Sequence, residues 1–313
     1  MSEKKRYRLI TRSDFDGLVC AVLFKSLDMI NEIMFVHPKD MQDGKIKVNE
    51  NDITANLPYV PGCHLVFDHH HSEILRTPAS ERKNHVIDPD APSAARVVYN
   101  YYDGERAFPN VPAELIIAVD KADSADFTRE EIMDPKGWNL LSFIMDARTG
   151  LGRYRHFRIS NYQLMMDLID HCLVHDVEDI LKLPDVHERV ILYNSHREKF
   201  EEQLRECSKE YGPLVVIDLR EEDLLYVGNR FLIYTLYPQC ELTMHVIWGL
   251  GKKKTVFAMG KSIFNRSSPV NIGALLLQYG GGGHAGAGTC QVNNDESPRV
   301  LNELIQHVVG TPS

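Results

Sequence analysis

The sequence predicts an α/β protein: an amino-terminal parallel sheet flanked by helices, a linker helix, and a smaller carboxy-terminal α/β domain with a mixed sheet. Three observations lead there. Short apolar strands alternate with helical repeats through the first half of the 313 residues. A highly charged stretch without glycine or proline runs from Val186 to Tyr211. Beyond it, apolar strand-like segments follow one another with a different spacing. The boundaries expected are 1–185 for the first domain, 186–211 for the linker helix and 212–313 for the second domain.

In chain order, "YRLIT" (7–11) is a short apolar strand, "RSDFDG" (12–17) a turn and "LVCAVLFKSLDMI" (18–30) a helical run. "EIMFVHP" is a second strand closed by proline, "CHLVF" a third and "HVID" a fourth. "SAARVVYNYY" and "AELIIAVDKAD" have helical spacing. After the linker helix, which "GP" at Gly212 and Pro213 ends, "PLVVIDL", "RFLIYTLYP", "LTMHVIWGL" and "TVFAMGKSIF" read as four strands. The helix "VNIGALLLQYG", a glycine run and a last helix from Ser297 to Val309 complete the chain.

Composition narrows the function. Hydrophobic residues are 43% and charged residues 25%, as in ordinary globular proteins. No apolar run approaches the roughly 20 residues that a membrane span needs, and "MSEKKRYRLI" lacks the apolar core of a signal peptide. The six cysteines are scattered, which fits a reducing, cytoplasmic setting better than a disulfide framework. A formal net charge of −9 gives no broad basic face for long duplex nucleic acid. A small anionic substrate fits better, held where local cations reverse the field. A homodimer is compatible with all of this.

The chemistry-bearing residues sit at expected strand ends, where ligands bind in parallel sheets. In "TRSDFDG", Asp14 and Asp16 alternate across Phe15, and Gly17 lets the chain turn. Two such carboxylates can hold hard cations, and without one their repulsion raises a pKa. "VFDHHHSE" adds Asp68, His69, His70 and His71. A mixed carboxylate and imidazole set suits manganese first, with Asp68 orienting a ring. A tag-like tract is the bland alternative, and its position at a strand end weighs against it. Asp52 and Asp123 are further candidates, each with an ordinary reading as a cap or turn residue, and Asp120 competes with Asp123. In "YGGGGHAGAGTC", Gly281, Gly282 and Gly283 ahead of His284 suggest a strip of bare amides that holds an anion. Arg266 and Ser267 in "IFNRSS" supply phosphate-binding groups. "DARTGLGRYRHFR" (146–158) is the most basic stretch, read as a lid or as a solvated connection.

With these motifs in this order, the chain resembles the DHH phosphoesterase superfamily, which includes RecJ-type nucleases, oligonucleotide phosphatases, cyclic-dinucleotide phosphodiesterases, manganese pyrophosphatases and exopolyphosphatases. The resemblance covers nearly the whole chain. It implies a metal-binding catalytic domain, a DHH-associated domain that presents substrate, and two divalent cations, Mn2+ or Mg2+. It also implies ligands at Asp14, Asp16, Asp52, His69 and Asp123, with His70 on phosphate or leaving oxygen and Asp68 holding the histidines. One departure stands out. Many relatives carry a histidine two or four positions before Asp14, where this chain has Arg12 and Ile10. Two arrangements follow: Asp14, Asp52 and water hold the first cation, or Arg12 replaces its charge and one metal remains. His37 or His71 could compensate in space.

The expected activity is metal-dependent hydrolysis of a phosphoester or phosphoanhydride in a nucleotide, short oligonucleotide or polyphosphate. Two rivals come from other classes: a degenerate member that binds a nucleotide or polyphosphate as a sensor, and an accessory module of the alanyl-tRNA type.

Overall fold

The computed structural model describes residues 5–76 and 83–310. The chain falls into two compact units, 1–192 and 193–313. In the first, the strands are β1 (Tyr7–Arg12), β2 (Ile30–Val36), β3 (Asp52–Ala55), β4 (Leu65–Asp68) and β5 (His85–Ile87). They pair in parallel in the order β2-β1-β3-β4-β5. The helices are α1 (Phe15–Ser26), α2 (Pro38–Gln42), α3 (His71–Arg76), α4 (Ala94–Tyr101), α5 (Ala113–Ser124), α6 (Arg129–Met133), α7 (Gly137–Met145), α8 (Asn161–Val174) and α9 (Val177–Ile180).

Residues 15 to 24 of α1 are all buried, because the helix lies against β1 and β2 and also meets α4, α5 and α8. That double coverage is why "LVCAVLF" is apolar all round instead of striped. From β1 the chain goes to β2 on one side, while β3 lies on the other. The sheet order therefore reverses at β1 and β3, and the crevice beyond their carboxyl ends is where open α/β sheets bind ligands. Arg12 to Asp14 leave β1 at that crevice, and Asn56 leaves β3 there, in register beside them.

α10 (Pro184–Glu206) runs from one unit into the other. The second unit has β6 (Ser208–Tyr211), β7 (Leu214–Asp218), α11 (Leu232–Leu236), β8 (Leu242–Trp248), β9 (Lys254–Lys261), α12 (Ile272–Leu277), β10 (Gly282–His284), β11 (Ala287–Asn293) and α13 (Ser297–Gly310). Its sheet, β10-β11-β9-β8-β7-β6, is mixed: β7 and β8 are parallel and the other pairs antiparallel. α12 and α13 contribute Ile272, Leu276, Leu304 and Val308 to its core.

The structure differs from the sequence reading at four places. The linker helix spans 184–206 and not 186–211, because Ser208 to Tyr211 form β6. Gly212, at φ +59°, and Pro213 make a two-residue hairpin turn between Tyr211 and Leu214 instead of a helix stop. "RFLIYTLYP" contains the helix α11, entered through an Asn229 Oδ1 bond from the Phe231 amide at 2.9 Å. β3 was not read as a strand at all, since four residues carry too little alternation.

Candidate active site

The turn after β1 is built by close approach. A Cβ on Gly17 would stand 1.9 Å from the Arg12 carbonyl oxygen, so only glycine lets α1 begin there. Asp14 caps α1, its Oδ1 accepting the Gly17 amide at 3.0 Å. Asp16, two residues on, is 2% exposed. Its two oxygens accept the Ala94 and Ala95 amides at 2.9 and 2.8 Å, which are otherwise unbonded donors of the first turn of α4. Oδ1 also faces the Cys20 thiol at 4.0 Å, and Oδ2 keeps a lone pair for a further partner.

At the end of β4, Asp68 is fully buried, and its Oδ1 accepts the His69 amide, the His70 amide and His70 Nδ1 at 2.9, 3.3 and 2.7 Å. The His69 ring is fixed from the opposite side, with Nδ1 3.2 Å from the Ala91 carbonyl oxygen. A carbonyl can only accept, so Nδ1 carries a proton, and Nε2 is the nitrogen left to serve as a ligand once its own proton leaves. That nitrogen is buried and lies 3.0 Å from Asp123 Oδ2. Asp123 comes from the last turn of α5.

Asp16, His69 and Asp123 each bring one ligand atom to a cluster in which all lie within 4.8 Å of one another. Two carboxylates and an imidazole nitrogen turned toward them form a donor set suited to a divalent cation. The electrostatics agree. Burial, reinforced by Asp123 and Asp14, pushes Asp16 up to about 7. Burial alone would lower His69, but its contact with Asp123 and the charges of Asp123, Asp16 and Asp68 raise it to about 9. Burial also raises Asp14, partly offset by Arg12. The centre is short of positive charge, and a protonated imidazole relieves it in the absence of a cation.

The other expected site residues separate into groups. Asp14 lies beside the cluster but outside it, held by Arg12 Nε at 2.8 Å on Oδ2 and by Asn56 Nδ2 at 3.0 Å on Oδ1. Asp52 is not at the site: it begins β3, at the amino end of the sheet, where Arg8 Nε and Nη2 bind its two oxygens at 2.9 and 3.0 Å. Asp120 accepts from Ser93 Oγ at 2.8 Å and from Arg96, so it is engaged away from the cluster. His37 caps α2, accepting the Lys39 amide at 3.1 Å, and exposed His71 opens α3; neither joins the cluster.

In the second unit, Arg266 Nε donates to the Ile263 carbonyl at 3.0 Å, and Ser267 Oγ donates to Asn265 Oδ1 at 2.6 Å. The Lys261 amide binds the Gly286 carbonyl at 2.8 Å, so the loop carrying Arg266 and the turn after His284 share one end of the sheet. The glycines have a packing reason. A Cβ on Gly281 or Gly283 would come 2.3 Å from the Thr289 or Ala287 carbonyl oxygen of β11. The Gly280 and Gly281 amides bind α12 carbonyls at 3.1 and 3.0 Å. The bare strip of amides expected there is thus partly occupied by the end of the helix.

Two residues, one at the centre and one within reach of its charge, have no counterpart among the residues singled out from the sequence. Asn56 is 1% exposed and at φ +55°, a left-handed conformation that asparagine tolerates. The signal was present: "DITAN" runs into a polar residue as "LVFD" does, which marks Asn56 and not Asp52 as the strand end. Arg148 lies in the basic stretch at 146–158, in a 3-10 turn where its Nε binds Asp146 Oδ1 at 2.7 Å. Burial works against its charge, but Asp146 and the more distant Asp14 and Asp123 raise its pKa.

Comparisons with known proteins add to this geometry. No family model matches the chain, and no curated protein matches it. Among solved structures, the chain is 58% identical to PggH, a pGpG-specific phosphodiesterase from Vibrio cholerae, over 98% of this chain and 100% of that one, with a TM-score of 0.86. It is 16% identical to RecJ from Thermus thermophilus in complex with Mn2+, over 99% of this chain and 53% of that one, with a TM-score of 0.52. The second likeness concerns the fold alone.

Proposed function

The chain belongs to the DHH phosphoesterase superfamily and is a phosphohydrolase of small anionic substrates, and from this premise we propose that it hydrolyses pGpG or a closely related 5′-phosphorylated dinucleotide with the aid of Mn2+ or Mg2+. The observation that carries the proposal is the convergence of Asp16, His69 and Asp123 beyond the carboxyl ends of a parallel sheet. The 58% identity to a pGpG-specific phosphodiesterase supports the choice of substrate.

In the reaction, water oxygen joins the internal phosphorus, the bond from phosphorus to O3′ breaks, and O3′ takes up a proton, giving two molecules of GMP. When bound, a divalent cation supplies Lewis acidity and an acidified water. The side chains do the rest. The Ala91 carbonyl keeps His69 in the tautomer whose Nε2 is a ligand. Asp68 holds His70 through Nδ1, and its charge outweighs burial to raise the His70 pKa, which suits His70 to give O3′ its proton. Arg266, Ser267, Gly281, Gly282, Gly283 and His284 are the candidates for holding the substrate's phosphate in the second unit.

A guanine base has a candidate seat in the first unit. An open cavity of about 440 Å³ is lined by Tyr154, Arg155, Phe157, Asn161 and Tyr162, a size and aromatic lining that suit a purine. Ser13, between Arg12 and Asp14, meets Met165 of α8 at 3.3 Å, and Tyr162 of the same helix packs edge-on against Phe35 of β2. The test is chromatography of products from pGpG, other dinucleotides, a cyclic dinucleotide, pyrophosphate and polyphosphate with Mn2+. Conversion of pGpG to GMP, fastest in the panel, is expected. Turnover of polyphosphate or pyrophosphate with pGpG untouched overturns the reading.

A further inference from the structure

We infer that the centre takes a single divalent cation per chain, held by Asp16, His69 and Asp123, and that Arg12 supplies the positive charge of a second, with its outer nitrogens presented to a phosphate oxygen of the substrate. The inference rests on the metal-dependent reading above and concerns how that same site is loaded.

The two sides of the centre are built differently. On one, His69 Nε2 is buried beside Asp123, and Asp16 and Asp123 approach it with lone pairs to give. On the other, Asp14 is more heavily engaged, and its one unengaged lone pair lies beside a guanidinium. Its Oδ1 accepts two N–H groups, from Gly17 and Asn56, and its Oδ2 faces the Arg12 guanidinium at 2.8 Å. A cation bound at Asp14 would lie against a fixed positive charge and compete with three donors.

Asn56 closes the case. Its Nδ2 can donate to Asp14 only in the orientation found, since the flipped amide would set two oxygens face to face. A carboxylate at this position would repel Asp14 and call for a cation between them; the amide removes both the repulsion and the demand. Asn56 Oδ1 is buried without a donor among the described residues.

Charge leads to the same number. With Asp68 set against His70, Asp14, Asp16 and Asp123 leave three negative charges at the centre. Arg12 offsets one and a single divalent cation offsets two, whereas a second cation would leave an excess of two before substrate arrives. Apart from the contact with Asp14, Arg12 has no partner among the described residues, and its side chain is 38% exposed. It therefore has donors left for an anionic ligand, in the bidentate manner that guanidinium allows.

The experiment is Mn2+ binding to the full chain, followed by calorimetry and by electron paramagnetic resonance. One ion per chain, with the spectrum of an isolated Mn2+, is expected. Two ions of comparable affinity, or the spectrum of a coupled pair, overturn the inference and leave the proposed function standing. No binding at all overturns both. The double variant Arg12→His, Asn56→Asp is expected to gain a second ion. Arg12→Ala is expected to keep one ion with little change in affinity while KM for pGpG rises about tenfold, the loss of one charge-assisted contact. An unchanged KM in Arg12→Ala overturns the substrate contact, and loss of its ion overturns the division of labour.

Discussion

Arg8 and Asp52 form a two-pronged ion pair that joins the amino ends of β1 and β3, with Asp52 also accepting the Asn49 amide at 2.7 Å. Asp52 is 1% exposed, so its carboxylate depends on these three donors. Replacing it strands a partly buried guanidinium. Asp52→Ala is expected to lose about 2–3 kcal/mol of stability and to keep the pGpG turnover of the folded protein. Denaturant unfolding beside a rate assay checks this; loss of activity without loss of stability would return Asp52 to the site.

How much of this was legible in the sequence follows from how each segment is stabilised. β1 and α1 announce themselves because their apolar residues are buried on more than one side and leave long signals, and β4 because "LVF" runs straight into its acidic end. β3 is four residues long and owes its place to neighbours on both sides, which no local pattern reveals. That omission had a price at the site: with β3 unseen, Asp52 could be taken for a strand-end carboxylate when it begins the strand. Asp16 and His69 could be read because their motifs fall directly after β1 and β4. Asn56 is legible only as the polar end of "DITAN"; its role shows only in its contact with Asp14.

Asp120 and Asp123 lie one helical turn apart in α5 and have different jobs. Asp123 faces His69, whereas Asp120 ties Arg96 and Ser93 of the α4 entrance. Asp123→Ala is expected to lower kcat more than about a hundredfold, as removal of a ligand exceeds the effect of removing its supports. Asp120→Ala is expected to cost about 1–2 kcal/mol of stability through its charged hydrogen bonds. Comparing kcat with unfolding midpoints for the two variants separates them; the reverse pattern would exchange their roles.

Tyr162 is half-exposed and stands at the cavity proposed for a purine, braced by Phe35 with ring centroids 5.9 Å apart. Stacking contributes about 1–3 kcal/mol per base. Tyr162→Ala should therefore raise KM for pGpG by roughly tenfold or more, leave kcat within a small factor, and spare a generic phosphodiester without a base. Equal losses on both substrates would mean that the tyrosine supports the fold instead of reading the base.

The pH dependence of cation binding follows from the same crowding that makes the centre attractive to a cation. Asp16 is raised from 3.8 to about 7 by burial and by Asp123 and Asp14, and His69 from 6.5 to about 9 by its acidic neighbours against the pull of burial. A cation needs the carboxylate ionised and the imidazole neutral, so both protons must leave. Below pH 7 both are held, between 7 and 9 chiefly that of His69, and above 9 neither. Affinity should climb by nearly two log units per pH unit below 7, by about one between 7 and 9, and level off above. The metal-free protein should show the opposite trend. Raised pKa values favour the protonated native state, so the stability from His69 is full below 6.5 and lost as pH rises toward 9, while the penalty of ionising Asp16 sets in between about 4 and 7. Melting temperature without metal should fall from pH 4 to 9, apart from a contribution of Asp123, whose pKa is lowered mainly by His69 against burial and which weakens only near pH 4 and below. Calorimetry in buffers of different ionisation enthalpy counts the protons released. A binding constant flat from pH 6 to 9 would mean that Asp16 and His69 do not both hold the ion.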